Sequence, residues 1–67
     1  MELQKIAKSD YYVIAGDQII GRLHKPEPNF WQVDTYTDIN YDIYADTDNF
    51  REARELAEQM AKEFLSQ

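Results

Sequence analysis

The chain has no cysteine, one histidine, two glycines and two prolines, and its seven Lys and Arg are outnumbered by 13 Asp and Glu. Without cysteine there is no disulfide, no thiolate zinc site and no cysteine nucleophile, and a reducing compartment is the simplest expectation. The lone His24, with Ser9 and Ser66 confined to the terminal segments, leaves a hydroxyl–imidazole triad without parts. A formal charge of −6 argues against a generic nucleic-acid or anionic-membrane binder, because neutralising phosphates takes clustered Lys and Arg. No apolar run approaches membrane length, and the opening Met-Glu-Leu-Gln-Lys-Ile-Ala-Lys lacks a signal-peptide core, so a soluble, cytoplasmic protein is predicted. Sixty-seven residues allow one domain, which buries only about 60% of its unfolded surface. Such a body has no room for a deep, water-excluding pocket, and we expect neither an enzyme nor a bound cofactor.

What the chain does have is a well-marked helix over residues 49–65. Phe50, Ala53, Leu56, Ala57, Met60, Ala61 and Phe64 fall on one side, and Arg51, Glu52, Glu55, Glu58, Gln59, Lys62 and Glu63 on the other. Asn49 is a good N-cap, and Glu52 stands three residues on, as a capping box requires.

Upstream, the period changes from 3.6 to 2. Residues 1–9 place Leu3, Ile6 and Ala7 at helical spacing and suggest a short turn or frayed segment. Residues 10–46 read as a sheet. Tyr11 to Leu23 suggests two strands joined at Gly16-Asp17, with Ile14 opposite Ile19, Val13 opposite Ile20 and Tyr12 opposite Gly21. Pro26 and Pro28 mark a loop, beside which His24 would cap a strand end. Phe30 to Tyr36 and Tyr41 to Asp46 alternate as two more strands around a turn at Asp38-Ile39-Asn40. The expected architecture is α+β: a four-stranded antiparallel meander with one C-terminal helix on one face. Its core would hold Ile14, Ile19, Leu23, Trp31, Val33, Ile43, Phe50, Leu56, Met60 and Phe64.

The face away from the helix would then carry Tyr11, Val13, Ile20, Arg22, His24, Phe30, Gln32, Asp34, Tyr36, Asp42, Tyr44 and Asp46. From Asp34 to Asp48 there are five Asp and no Lys or Arg. Asp34, Tyr36, Asp42, Tyr44 and Asp46 are the candidate partner-binding residues, a checkerboard of carboxylates and of the tyrosines that protein interfaces favour. The plainer reading is that carboxylates on an edge strand keep other chains from pairing with it. Calcium is a poor fit: Asp38, Asn40 and Asp42 copy the first ligands of an EF-hand loop, but Ile43 and Asn49 stand where Gly and Glu are required. Gly16 and Gly21 have phosphate-loop spacing, yet Arg22 and Leu23 replace the Lys and Ser/Thr. No metal site is expected.

The succession Ile20-Gly21-Arg22-Leu23, a Phe30-Trp31-Gln32-Val33 strand, a further strand and a helix opened by Thr47 with Glu52-Ala53 resembles the sheet-plus-helix arm-binding domains of phage integrases. That resemblance implies a sheet that reads DNA through Arg and Lys. Here the sheet would offer only Arg22 among Asp34, Asp42 and Asp46, so direct nucleic-acid binding is not expected. In size and charge the chain is similar to the small acidic inhibitors that phages make against host nucleases and CRISPR complexes. The expected function is therefore a non-enzymatic, acidic protein-binding domain, an inhibitor or nucleic-acid mimic that occupies a basic site on a protein. The alternative is an assembly module that forms a homodimer through Tyr11, Val13, Ile20 and Phe30.

Overall fold

In a computed structural model of the chain, which describes residues 1–36 and 41–66, six elements follow one another: β1 (Glu2–Ala7), β2 (Asp10–Ala15), β3 (Gln18–Glu27), β4 (Phe30–Tyr36), β5 (Tyr41–Thr47) and α1 (Phe50–Leu65). The strands form one antiparallel sheet in the order β1-β2-β3-β4-β5. The fold is α+β with a C-terminal helix, as expected, but the sheet has five strands and not four. The extra strand is the N-terminal segment. Its local signal was helical, yet it pairs with β2 and sets Leu3 opposite Val13, against the core. Pairing with a formed neighbour outweighs the weak local preference of six residues, three of them polar.

Turn chemistry follows the sequence in part. Gly16 has φ +62° between β2 and β3, as a tight hairpin needs. Ser9 does the same work between β1 and β2 at φ +58°. β3 runs on to Glu27, through Pro26, because the β3–β4 register slips between His24 and Glu27, and a bulge is where a strand tolerates proline. The turn expected at Asp38-Ile39-Asn40 lies outside the described residues.

Two further bulges decide which side chains face the helix. In β2–β3 the pairs run Ile14 with Ile19, then Val13 with Gly21, so Ile20 is an extra residue. Strict alternation assigns Ile14 and Ile19 to the core and Val13 and Ile20 to solvent. The bulge reverses this: Val13 and Ile20 are buried, while Ile19 is 42% exposed. In β4–β5 the pairs run Val33 with Ala45, then Asp34 with Ile43, leaving Tyr44 as the extra residue. Ile43, expected in the core, is 60% exposed, and Tyr44, expected outside, packs against the core. A bulge admits one more residue and reverses the alternation beyond it. Leu23, Trp31 and Val33, which lie between the bulges, are buried as expected.

The helix packs across β2 to β5 and hardly reaches β1. Asn49 caps it, its Oδ1 accepting from the Glu52 N–H at 2.8 Å. The Glu52 carboxylate accepts from Thr47 Oγ1. Ala53, Ala57, Met60 and Ala61 are its buried residues, with Phe50, Leu56 and Phe64 partly buried at the margins. Phe50 closes one end, its ring 5.0 Å from Trp31 and 5.6 Å from Tyr11. Tyr11, assigned to the outer face from the sequence, thus lies on the helix side. Gly21 is needed for contact: a Cβ there would stand 2.1 Å from the Asp34 carbonyl oxygen and 2.7 Å from Met60 Cε.

The bulge at Ile20 gives opposite outcomes for adjacent isoleucines. Ile20→Lys buries an unpaired ammonium and should abolish the cooperative thermal melt, whereas Ile19→Lys should change stability by no more than about 0.5 kcal/mol. Gly21→Ala should cost about 1–3 kcal/mol through overpacking, read as a lower urea midpoint.

Candidate functional site

The uncovered face of the sheet is organised in two rows that cross the strands. One runs Asp10, His24, Gln32, Asp46, and the other Tyr12, Arg22, Asp34, Ile43, each residue directly opposite the next. Directly paired residues share a face, so the rows place polar and charged residues of four adjacent strands side by side. Arg22 donates from Nε to Asp10 Oδ1 at 2.8 Å and from Nη2 to Asp10 Oδ2 at 2.9 Å, a two-pronged contact that fixes both side chains. His24 Nε2 lies 2.9 Å from Asp34 Oδ2, and Gln32 Nε2 donates to Asp34 Oδ1 at 2.7 Å. A carboxylate only accepts, so His24 meets it with Nε2 as donor.

Asp34 is fully buried although the helix is on the other side of the sheet. Neighbouring side chains on the same face close over it. Among the described residues, no buried polar side-chain atom lacks a hydrogen-bond partner. The electrostatics follow the contacts. The hydrogen bond from Arg22 holds the Asp10 carboxyl below its ordinary range, against the opposing effect of burial, and the same bond raises Arg22. Tyr36 is pushed up, first by burial and then by Tyr12.

The five candidate residues are not brought together as one checkerboard. Asp34 is on the outer face but inaccessible, and Tyr36 lies half-buried beyond it. The bulge turns Tyr44 to the helix side, where its hydroxyl donates to Glu63 Oε2 at 3.1 Å, and burial followed by that bond raises its pKa. The same bulge separates the remaining two. Asp46 pairs with Gln32 on the outer face, whereas Asp42 pairs with Thr35, whose other neighbour is Gly21, on the helix side. Both are exposed on β5, the last strand of the sheet. The homodimer surface drawn through Tyr11, Val13 and Ile20 is occupied by this chain's own helix and core.

Asp10, His24 and Gln32 gained no role from the sequence, or in the case of His24 the wrong one. Their signal was the register: once Ile20 is set aside as a bulge, Asp10 falls opposite His24 and beside Arg22. The network is closed on itself, and among the described residues no group of three or more His, Asp or Glu is disposed to hold a metal ion. It can stiffen and shape a surface, leaving exposed charge to β5.

Two measurements test this arrangement. Asp34→Asn replaces one of the two acceptor oxygens by an amide NH2 and the charge by a neutral group, so that His24 must change tautomer or a hydrogen bond is lost. It should cost about 1–3 kcal/mol by denaturant titration, while Asp46→Asn should stay within about 0.5 kcal/mol. The depressed Asp10 pKa stabilises the fold fully above the unfolded value of about 3.9, and that contribution disappears as pH falls through the folded value. The gap in urea midpoint between the native chain and Asp10→Asn should therefore be constant above about pH 5 and close below about pH 4.

Among the described residues no helix is long and apolar enough to cross a membrane. Compared with protein-family models, with curated proteins and with solved structures, the chain matches none, and its functional reading rests on its own geometry.

Proposed function

We propose that the chain is a small non-enzymatic protein-binding domain of the inhibitor type, which occupies a basic, nucleic-acid-binding site on a partner protein through the edge strand β5. The observation that carries this reading is the placement of Asp42 and Asp46 on opposite faces of a terminal strand that contains no Lys or Arg. Carboxylates on both sides of an edge make an anionic ridge, a shape suited to a groove, where a flat charged face suits a flat partner. Exposed Asp48 continues the ridge towards the helix.

The three arginines of the chain lie beside acids of their own. Arg22 is held by Asp10, and Arg51 and Arg54 lie 4.0 and 3.8 Å from Glu55 and Glu58 on the exposed side of the helix. A net charge of −6 supports steering towards a positive target and rapid association. The tyrosine half of the surface seen in the sequence has no part here, because Tyr44 faces the helix.

The test pairs capture with competition. The native chain, immobilised in cell lysate at low salt, should retain a basic protein that high salt releases, and that protein's own nucleic-acid binding should fall as the chain is added. The variant Asp42→Asn/Asp46→Asn/Asp48→Asn should melt within a few degrees of the native chain yet bind the partner at least tenfold more weakly, mainly through slower association. A partner held equally well by the triple variant, or indifferent to salt, overturns the proposal.

A further inference from the structure

β5 ends the sheet, and among the described residues no strand pairs with its outer side. An edge strand aims alternate N–H and C=O groups outward, so β5 offers main-chain donors and acceptors as well as its carboxylates. The two edges are not alike. β1 carries Glu2 and Lys5, breaks register at Ile6 and is followed by Lys8, so it lacks the run of carboxylates that marks the other edge. β5 contains no Lys, Arg, Pro or Gly. Its carboxylates repel a second β5, and they attract a strand that brings Lys or Arg. Between them Ile43 is 60% exposed on the outer face, opposite buried Asp34. A large aliphatic side chain at that position is left mostly open to solvent.

We infer that the partner is engaged by strand addition: an extended basic segment pairs its main chain with the free edge of β5. This rests on the acidic protein-binding reading above and specifies the contact. Charge complementarity places a Lys or Arg beside Asp46 on the outer face and another beside Asp42 on the helix side, and Ile43 takes an apolar residue. The register of β4 gives the spacing. Gln32, Val33, Asp34 and Thr35 stand opposite Asp46, Ala45, Ile43 and Asp42, with Tyr44 passed over. A strand that follows the same register on the other side of β5 reads basic, any residue, apolar, basic. Main-chain bonds supply the affinity in this mode, and the alternating side chains supply the choice of segment.

The probe is a synthetic ten-residue peptide with Arg-Thr-Ile-Arg at its centre, titrated into the isotopically labelled full chain and followed by NMR. The expected result is salt-sensitive binding, with the largest shifts and the slowest amide exchange at the β5 amides. A peptide of the same sequence, N-methylated on the amides that would pair, should bind at least tenfold more weakly, and so should the native peptide to Ile43→Thr or to Asp42→Asn/Asp46→Asn. Equal binding of the N-methylated peptide would show that charge alone holds the segment, overturning strand addition while leaving the acidic reading intact. No binding of the peptide to a chain that does capture a basic protein from lysate would also overturn strand addition alone. Failure of both captures would remove the two readings together.

Discussion

The structure depends on how closely its helix lies on its sheet. α1 buries Ala53, Ala57 and Ala61, spaced four apart, and the sheet meets Met60 at Gly21, where not even a Cβ fits. Small residues on both sides bring the helix down until Phe50 at one end of it reaches the sheet's own Trp31 and Tyr11, while Leu56 and Phe64 pack along the margin of the core. The bulges at Ile20 and Tyr44 serve the same contact. Each delivers an additional large side chain to the helix side of a strand, and a five-stranded sheet with one helix needs that extra apolar volume to form a core at all. The cost falls on the outer face, where Ile19 and Ile43 emerge.

Much of this was legible in the residues. The helix boundaries, the N-cap at Asn49, the hairpin at Gly16, the antiparallel order and the buried Leu23, Trp31 and Val33 all follow from periodicity and turn chemistry. What did not follow has a common cause. Alternation specifies a face only up to an unknown number of inserted residues, and Ile19-Ile20 or Ile43-Tyr44 offers two apolar neighbours, either of which could turn inward. The choice is made by the helix and not by the strand. β1 was illegible for a related reason, because a strand with one inward apolar residue has almost no pattern of its own and takes its conformation from β2.

The candidate site divides along the same line. That Asp42 and Asp46 are exposed was readable from charge, but their placement on opposite faces required the bulge. Asp34 looked like one more member of a repeating series of aspartates. Its burial beneath His24 and Gln32 shows that identical side chains on successive strands can belong to different economies of solvation, one fixing the face and the others charging its edge. The polar network also explains why a sheet face without a covering layer can be rigid: its hydrogen bonds run across β2, β3 and β4 and tie them together independently of the main-chain ladder.

The strict meander has a consequence for how the chain reaches this state. Every strand lies beside its predecessor, so each pairing closes only a short loop, and the entropy lost at each closure is small. Sheets built from distant segments must assemble several unfavourable contacts before any of them is rewarded, whereas here a hairpin can nucleate at one turn and grow a strand at a time. Low contact order of this kind favours rapid folding for a β-rich chain. It also shortens the interval in which β5, synthesised late and left at the margin, has its main chain open on both sides.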